Sequence, residues 1–466
     1  MGSYAPLPFD IKKIAIIGAG PCGLAAARYL LDRDVFTSVV IFEQQHEVGG
    51  VWNYSRDPPG SVRVPQTDPF GPPEVPLPPR KTGDAPMFPS PMYETLHANI
   101  PGSLMNYKDR PFPQDAWAYP SRQTIQDYIG GYAEDLRSHI KFNIQVESVE
   151  LTQEAERDRW ILKAKSTVVD ETIKETFDAV VVANGHYSVP FLPEVKNIEA
   201  FHTTHPNIII HSKNYRTPEP FAGKRVVVVG NGPSGLDIAR QITGVGAQTL
   251  ISVRSPTPAD KLEHVGASEI AEIVEFLPDQ QAIRLKDGSV QSGIDAIIYC
   301  TGFLFSYPFL PGLAPKLLTK GKGVFGLYKH LFLIQHPTLV FPGLLMKAVP
   351  FPLSEAQAAV VAAVWSNSLL LPPVEEQEKW ERGLRKERGE NLHTFPTHGG
   401  DGLYINELHD WALEGSPAGL EAPFWNDESR WERSIFADAK VRFEQHGTQA
   451  KTLKELGFVY PGEGHW

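Results

Sequence analysis

The sequence predicts an α/β chain in which one parallel-sheet nucleotide-binding domain is inserted into another. Three observations carry this. A strand–glycine–helix–strand unit occupies residues 12–52, a second one occupies 225–255, and a similar apolar echo follows each, at 178–185 and 295–302. Such a duplication implies two related Rossmann-like domains, with the chain returning to the first sheet at about residue 295. The expected division is 1–190 and 296–466 for the outer domain, with a C-terminal helical extension, and 191–295 for the inserted one.

In the first unit, residues 14–17 form a short apolar run of the kind that makes a buried parallel strand. The run stops at Gly18, and Gly18, Gly20 and Gly23 fall on the G-x-G-x-x-G spacing as a helix begins at Pro21 and Cys22. The first glycine permits a tight turn, the second lets backbone approach a pyrophosphate, and the third allows close helix–strand packing. The helix start turns amides and partial positive charge toward the phosphates. A second strand is predicted over 39–42. Glu43 lies at its end, 23 residues past Gly20, where a carboxylate accepts hydrogen bonds from ribose hydroxyls.

Residues 57–91 are proline-rich, which forbids central strands and helix interiors. They read either as a long surface connection or as a loop draped near the cofactor. An amphipathic helix is expected with Ile125, Tyr128, Ile129 and Tyr132 on one face, then strands over 142–151 and 160–169. Residues 178–185 read as a buried strand ending in a glycine turn.

The second unit repeats the first. A strand from Arg225 leads to Gly230, Gly232 and Gly235, with Pro233 and Ser234 opening the helix, and a strand over 249–253 follows. Arg254 stands 22 residues past Gly232, nearly the offset of Glu43 from Gly20. Where the first unit offers an acid, this one offers a guanidinium, which can clamp a 2′-phosphate through charge-assisted, bidentate hydrogen bonds. Residues 354–357, Ser-Glu-Ala-Gln, read as a capping box for the apolar helix after them, and 375–386 as a charged helix.

Composition bounds the rest. The chain has 466 residues, 42% of them apolar and 21% charged, which suits two or three folded domains. A net charge of −11 without a dense basic run argues against nucleic-acid binding. The two cysteines, Cys22 and Cys300, lie far apart, excluding a C-x-x-C redox pair and a thiolate metal site and suiting a reducing compartment; both read as small buried residues. No run approaches the roughly 18 apolar residues needed to span a bilayer, and neither end carries a secretory, prenylation or retention signal. A cytoplasmic protein is the expectation.

An acid in one cradle and an arginine in the other suggest FAD in the first and NADPH in the second, an arrangement suited to hydride transfer onto a flavin. With no dithiol to take the electrons, molecular oxygen is the leading acceptor. At this point the motifs G-A-G-P-C-G, V-G-G-V-W-N, H-A-N-I-P, V-V-V-A-N-G-H-Y-S-V-P, H-S-K-N-Y-R, V-V-G-N-G-P-S-G and Y-C-T-G-F, in this order, resemble the flavin-containing monooxygenases, most of all the soluble fungal members and the plant S-oxygenating branch. The family fingerprint Phe-x-Gly-x-x-x-His-x-x-x-Tyr/Phe is kept at His211 and Tyr215 but carries His205 and Asn207 in place of Phe and Gly. Tyr215, where Baeyer–Villiger relatives carry Trp, favours heteroatom oxygenation.

The resemblance implies S- or N-oxygenation of a thiol, sulfide or amine by O2 through a flavin C4a-hydroperoxide. It places Asn99 by the flavin ring as the catalytic group. It adds Gly50, Val51, Trp52, Val149, Thr301 and Gly302 to the cofactor-binding residues, and it makes His211 a residue that orients the linker. A reductase or oxidase that passes electrons without oxygenation is the alternative, and a nucleotide-sensing binding protein a third. Self-association as a homodimer is left open.

Overall fold

The computed structural model describes residues 9–462 apart from 80, 82, 84, 155–156, 396–398 and 416–418. Both chain ends read above for targeting signals reach beyond the described residues. The first sheet has seven strands, in the order Leu327–Tyr328, Phe332–Leu333, Leu339–Val340, Ala179–Val182, Lys13–Ile17, Ser38–Phe42, Ile140–Lys141. The central strand Lys13–Ile17 is parallel to both neighbours, with Ile14 opposite Val39 on one side and Ala179 on the other. Flanked on both edges and covered on both faces, its inner residues are fully buried, as an unbroken apolar run requires.

The second sheet has five parallel strands, in the order Ser268–Ala271, Gln248–Val253, Arg225–Val229, Ala296–Tyr299, Ile209–His211. This corrects the expected boundary at 295. Residues 296–299 pair with the first strand of the second unit, Val226 opposite Ala296, and the chain goes back to the first sheet only after Gly302. The physical reason is the duplication itself. Asp178 Oδ2 accepts from the amides of Lys12 and Lys13 at 2.7 and 2.8 Å, and Asp295 Oδ2 accepts from the amide of Arg225 at 2.8 Å. Each aspartate thus holds the start of the strand beside its own, so each echo belongs to the unit it follows.

In both units a three-stranded antiparallel sheet replaces a crossover helix: Ile144–Glu154, Arg157–Ser166 and Thr172–Phe177 in the first, Ile273–Leu277, Ala282–Leu285 and Val290–Ser292 in the second. Two chain crossings join the units, and they pair with each other: Val189–Pro190 runs antiparallel to Phe303–Leu304. The described residues of the proline-rich stretch form no helix or extended strand. They make a strap across this joint, held by reciprocal backbone bonds between Gln66 and Leu192 (3.0 and 2.9 Å) and by Ser306 Oγ donating to Pro69 O (2.7 Å).

Helix Pro350–Trp365 packs between helices Pro21–Asp32 and Gly400–Glu414 and is buried on every side, its polar Ser354, Glu355 and Gln357 included. Its start corrects the expected capping box. Prolines are tolerated in a first helical turn, where N–H groups lack partners anyway, so the helix begins at Pro350 and Ser354 lies inside it, donating to Phe351 O at 2.7 Å. Helices Val374–Arg388 and Asp427–Gln445 complete the C-terminal region. No helix among the described residues is long and apolar enough to cross a membrane.

Candidate active site at the joint of two nucleotide cradles

The two glycine turns are built alike. Gly18 and Gly230 have φ of 103° and 107°, a left-handed conformation that glycine alone adopts freely. Gly20 and Gly232 cap the helices that follow, at φ −77°, ψ −179° and φ −72°, ψ 177°, and Pro21 and Pro233 open them. A Cβ on Gly23 would lie 1.9 Å from Gly18 O, and one on Gly235 would lie 2.0 Å from Gly230 O. Neither helix has a side-chain cap, so its first amides face outward to an anion.

Around the first cradle the structure gathers Gly18, Gly20, Pro21, Cys22 and Gly23 with Glu43 and the tight turn Gly50–Trp52. Gly20 and Gly50 face each other backbone to backbone; a Cβ on Gly20 would sit 3.7 Å from Gly50 Cα. The Glu43 carboxylate is buried and accepts from the amides of Ala19 (2.7 Å) and Gln45 (2.9 Å). Burial pushes its pKa up to about 7, against the lowering pull of those amides. Val51 O accepts from Ser90 Oγ. Gln126 and Asn53 hold the same turn: Gln126 Nε2 donates to Val48 O (2.8 Å) and Asn53 Oδ1 (3.0 Å), and Asn53 Nδ2 donates to Glu47 O (3.1 Å). Sequence reasoning missed both, although the Asn after V-G-G-V-W was the available signal. Residues that can receive FAD are therefore in place: a turn open to phosphate, a helix start, and an acid at ribose distance along the strand.

The second cradle leaves Gly232, Pro233 and Ser234 exposed, with nothing within 4 Å of a Cβ on Gly232. Arg254 is exposed and has no hydrogen-bond or ion-pair partner among the described residues. Asn231, also missed, fixes the loop behind it by donating to Ser255 O and Thr257 Oγ1, both at 3.0 Å. A dinucleotide bearing a 2′-phosphate fits this set: open amides for the pyrophosphate and a free guanidinium for the extra charge.

Between the cradles lies the joint. Thr301 Oγ1 donates to Phe191 O, and Gly302 O accepts from Phe191 N (2.9 Å) and from His211 Nε2 (3.0 Å). His211 Nδ1 accepts from the Lys213 amide, which fixes the tautomer with the proton on Nε2; burial pushes its pKa down to about 4, so the ring is neutral at pH 7. It ties the two crossings together. Asn99 is exposed on a segment that touches both units. Ala98 N donates to Pro120 O (2.8 Å) on the first, whereas Tyr93 hydroxyl donates to Asp237 and Thr95 Oγ1 to Gln241 Oε1 (2.8 Å) on the second. Val149 donates its amide to Phe309 O (2.7 Å), and its side chain lies in the core cluster that holds Trp160 and Phe341 together with Ile17 and Phe42, the residues before Gly18 and Glu43.

Comparison with known proteins gives a consistent outcome. The family model described as flavin-binding monooxygenase-like matches residues 87–259 and 262–413, and an NAD(P)-binding Rossmann-like model matches 16–67. The chain is 33% identical to the thiol-specific monooxygenase of Saccharomyces cerevisiae, covering 97% of this chain and 98% of that protein. It is 34% identical to the flavin-containing monooxygenase FMO GS-OX-like 9 of Arabidopsis thaliana, covering 78% and 77%. Among solved structures, the S-allyl-L-cysteine S-oxygenase of Allium sativum superposes with a TM-score of 0.77 at 26% identity, covering 97% and 98% of the chains.

Proposed function

Because the chain belongs to the flavin-binding monooxygenase-like family, we propose that this FAD- and NADPH-dependent monooxygenase oxygenates sulfur in small thiols or thioethers in preference to amine nitrogen. FAD held at the first cradle would supply the redox chemistry, accepting hydride from NADPH and activating O2, so that one oxygen atom would go to the nucleophile and the other would leave as water. The observation that carries the proposal is the matched pair of cradles, alike to within a few degrees of backbone but ending in an acid on one side and a free guanidinium on the other.

The chain's own residues then bind, orient and shield. Gly18, Gly20 and Gly23 and the Pro21 helix start receive the FAD pyrophosphate, Glu43 takes its ribose, and Gly50–Trp52 closes over it. Gly230, Gly232 and Gly235 with Arg254 take NADPH and prefer it to NADH. Asn99, on the segment spanning the seam, presents a carboxamide that both donates and accepts where the two cofactors meet. No protein acid, base or nucleophile has to attack the substrate; water has to be kept out. Sulfur preference draws on the similarity to a thiol-specific monooxygenase and an S-oxygenase.

The test is stoichiometric. The purified FAD-loaded enzyme, given isotope-labelled O2, NADPH and either a thioether or a tertiary amine, is expected to consume NADPH and O2 one to one and to label the sulfoxide faster than the N-oxide. NADPH oxidation that yields only hydrogen peroxide or water would establish the oxidase alternative. A reductase has no dithiol to use: Cys22 and Cys300 sit in separate cradles, and burial pushes each thiol up to about 12.

A further inference from the structure

The structure holds a cavity of about 410 Å³ whose walls come from three stretches: Tyr54 and Arg56, the proline-rich strap at Leu77 and Met87, and Glu94 with Arg122. It adjoins the segments of the proposed site. Tyr54 is two residues past Trp52, and the Arg122 amide donates at 2.9 Å to the carbonyl of Leu96, three residues before Asn99.

The polar groups in it are out of balance. The Tyr54 ring lies between two guanidiniums, Arg122 at 4.3 Å and Arg216 at 5.9 Å from its centroid. Arg216 leaves its Nε buried without a partner but uses both terminal nitrogens, donating to the carbonyls of Ser90 (3.1 Å), Met92 (3.3 Å), Lys213 (2.8 Å) and Tyr215 (2.8 Å). Arg122 does not. Among the described residues its guanidinium has no hydrogen-bond acceptor and no ion pair, and its Nε is buried without a partner. The Tyr54 hydroxyl is likewise buried and unpartnered. Among the described residues, Glu94 and Asp127 attract this charge only through space, Glu94 being held by Arg56 at 2.9 Å and Asp127 by Gln123 Nε2 at 2.8 Å. Buried polar groups left without partners are costly, and a bidentate carboxylate is the ligand whose geometry matches a guanidinium fork. The strap side of the wall, Leu77, Pro78, Pro79, Ala85 and Met87, with Leu77 and Met87 bridged backbone to backbone at 2.7 Å, is apolar and suits an S-alkyl group.

Building on the monooxygenase reading above, we propose that Arg122 and Tyr54 form a carboxylate-binding subsite that selects sulfur substrates of the α-amino-acid kind. Arg122 takes the carboxylate through its fork, the Tyr54 hydroxyl donates to the same group, and the thioether extends toward the seam between the cradles. Both are specificity residues and take no part in oxygen transfer.

The test compares S-methyl-L-cysteine, its methyl ester and the uncharged methyl p-tolyl sulfide with the FAD-loaded enzyme, by steady-state kinetics and by calorimetric binding without NADPH. Wild type is expected to favour the acid over the ester. Arg122→Gln is expected to raise KM and Kd for the acid by about 10- to 100-fold, with kcat and the uncharged sulfide little changed, and to abolish the preference. Arg122→Lys, which keeps the charge and the stem but not the fork, is expected to fall between. Tyr54→Phe is expected to cost the acid about threefold to tenfold and the ester nothing. Equal losses for acid and ester, no preference in wild type, or a rise confined to the KM of NADPH would overturn the subsite; the last would hand Arg122 to a nucleotide phosphate. Calorimetry needs no turnover. Acid binding that depends on Arg122 in an enzyme that oxygenates no sulfide would sink the monooxygenase reading and leave the subsite standing.

Discussion

Replacing Gly232 with Ala separates what the second cradle does from how it folds. Gly232 has φ −72° and ψ 177°, extended backbone open to any residue, and a Cβ there meets nothing within 4 Å. The fold is therefore indifferent to the methyl. Stiffening the unfolded chain stabilises by about 0.4–1 kcal/mol, a poorer N-cap removes about 0.5–1 kcal/mol, and with the two nearly offsetting the melting temperature should move by roughly 2 °C or less. The nucleotide is not indifferent. A methyl on the face that presents the helix amides holds the pyrophosphate off, and losing one charge-assisted hydrogen bond of about 1.5–3 kcal/mol raises the NADPH dissociation constant by about 10- to 150-fold. Gly235→Ala is the contrast, because its Cβ would lie 2.0 Å from Gly230 O and the turn must open by more than an ångström. Scanning fluorimetry of the FAD-loaded protein and NADPH-dependent flavin reduction in a stopped-flow instrument read the two effects apart. Unchanged NADPH affinity in Gly232→Ala, or a collapse of its melting temperature, would refute the assignment of an open phosphate face.

Arg254→Ala should weaken NADPH by about 10- to 100-fold and NADH hardly at all; equal losses in a coenzyme-specificity assay would place the 2′-phosphate elsewhere. Asn99→Ala should leave flavin reduction intact but divert NADPH turnover to hydrogen peroxide, measured as the ratio of peroxide to sulfoxide. Glu43 has a carboxyl raised to about 7, and ribose hydroxyls favour its ionised form, so FAD binding releases a proton and FAD retention should strengthen as pH rises toward 7 and level off above it. Flavin content after dialysis at pH 5, 6, 7 and 8 measures this, and Glu43→Gln should flatten the profile. Glu355 is buried in helix Pro350–Trp365, accepts from the Lys108 amide at 2.7 Å, and burial raises its pKa to about 8. Its neutral form is the stable one in the fold, so stability is fully present below about 4.5 and declines, by at most about 1.4 kcal/mol per pH unit, as pH rises to about 8. Glu355→Gln should remove that decline in denaturant titrations, and parallel curves for both proteins would show that Glu355 ionises freely.

Both cradles were legible because their chemistry is local. A glycine whose Cβ would strike the carbonyl five residues earlier, as at Gly23 and Gly235, can be recognised from spacing alone, and so can an acid or an arginine at the end of the next strand. The boundary at 295 was misjudged for a nonlocal reason. The echoes at 178–185 and 295–302 are alike in composition, and only pairing, Ile14 with Ala179 and Val226 with Ala296, shows that each closes its own sheet. The capping box failed because burial outranked a local pattern: the apolar face of the 350–365 helix extends one turn before Ser354. Gln126 escaped notice because its partners, Val48 and Asn53, are more than seventy residues away in the chain. Long-range side-chain bonds of this kind carry no periodicity.

The strap explains a feature of the second unit that its nucleotide chemistry does not require. Proline has no N–H, so a proline-rich segment crossing a domain joint offers carbonyls and few donors. The surface it crosses must then supply the donors, and residues 213–216, Lys-Asn-Tyr-Arg, do so. Lys213 pairs with Glu74 and donates to Ser188 O beside it, Asn214 donates to Pro59 O at 3.0 Å, and Arg216 donates to Ser90 O and Met92 O. Lys213 and Arg216 are buried, which a cation tolerates when paired or well hydrogen-bonded; Lys213 has Glu74 and Ser188 O, and both terminal nitrogens of Arg216 are bonded while its Nε is not. The run that follows His211 is therefore a set of long, cationic donors matched to an acceptor-rich strap, and the neutral His211 beside them ties down the crossing on the other side. Held in this way from the strap and from the linker pair, the second unit keeps its cradle in a fixed relation to the first, as hydride transfer between two bound dinucleotides demands.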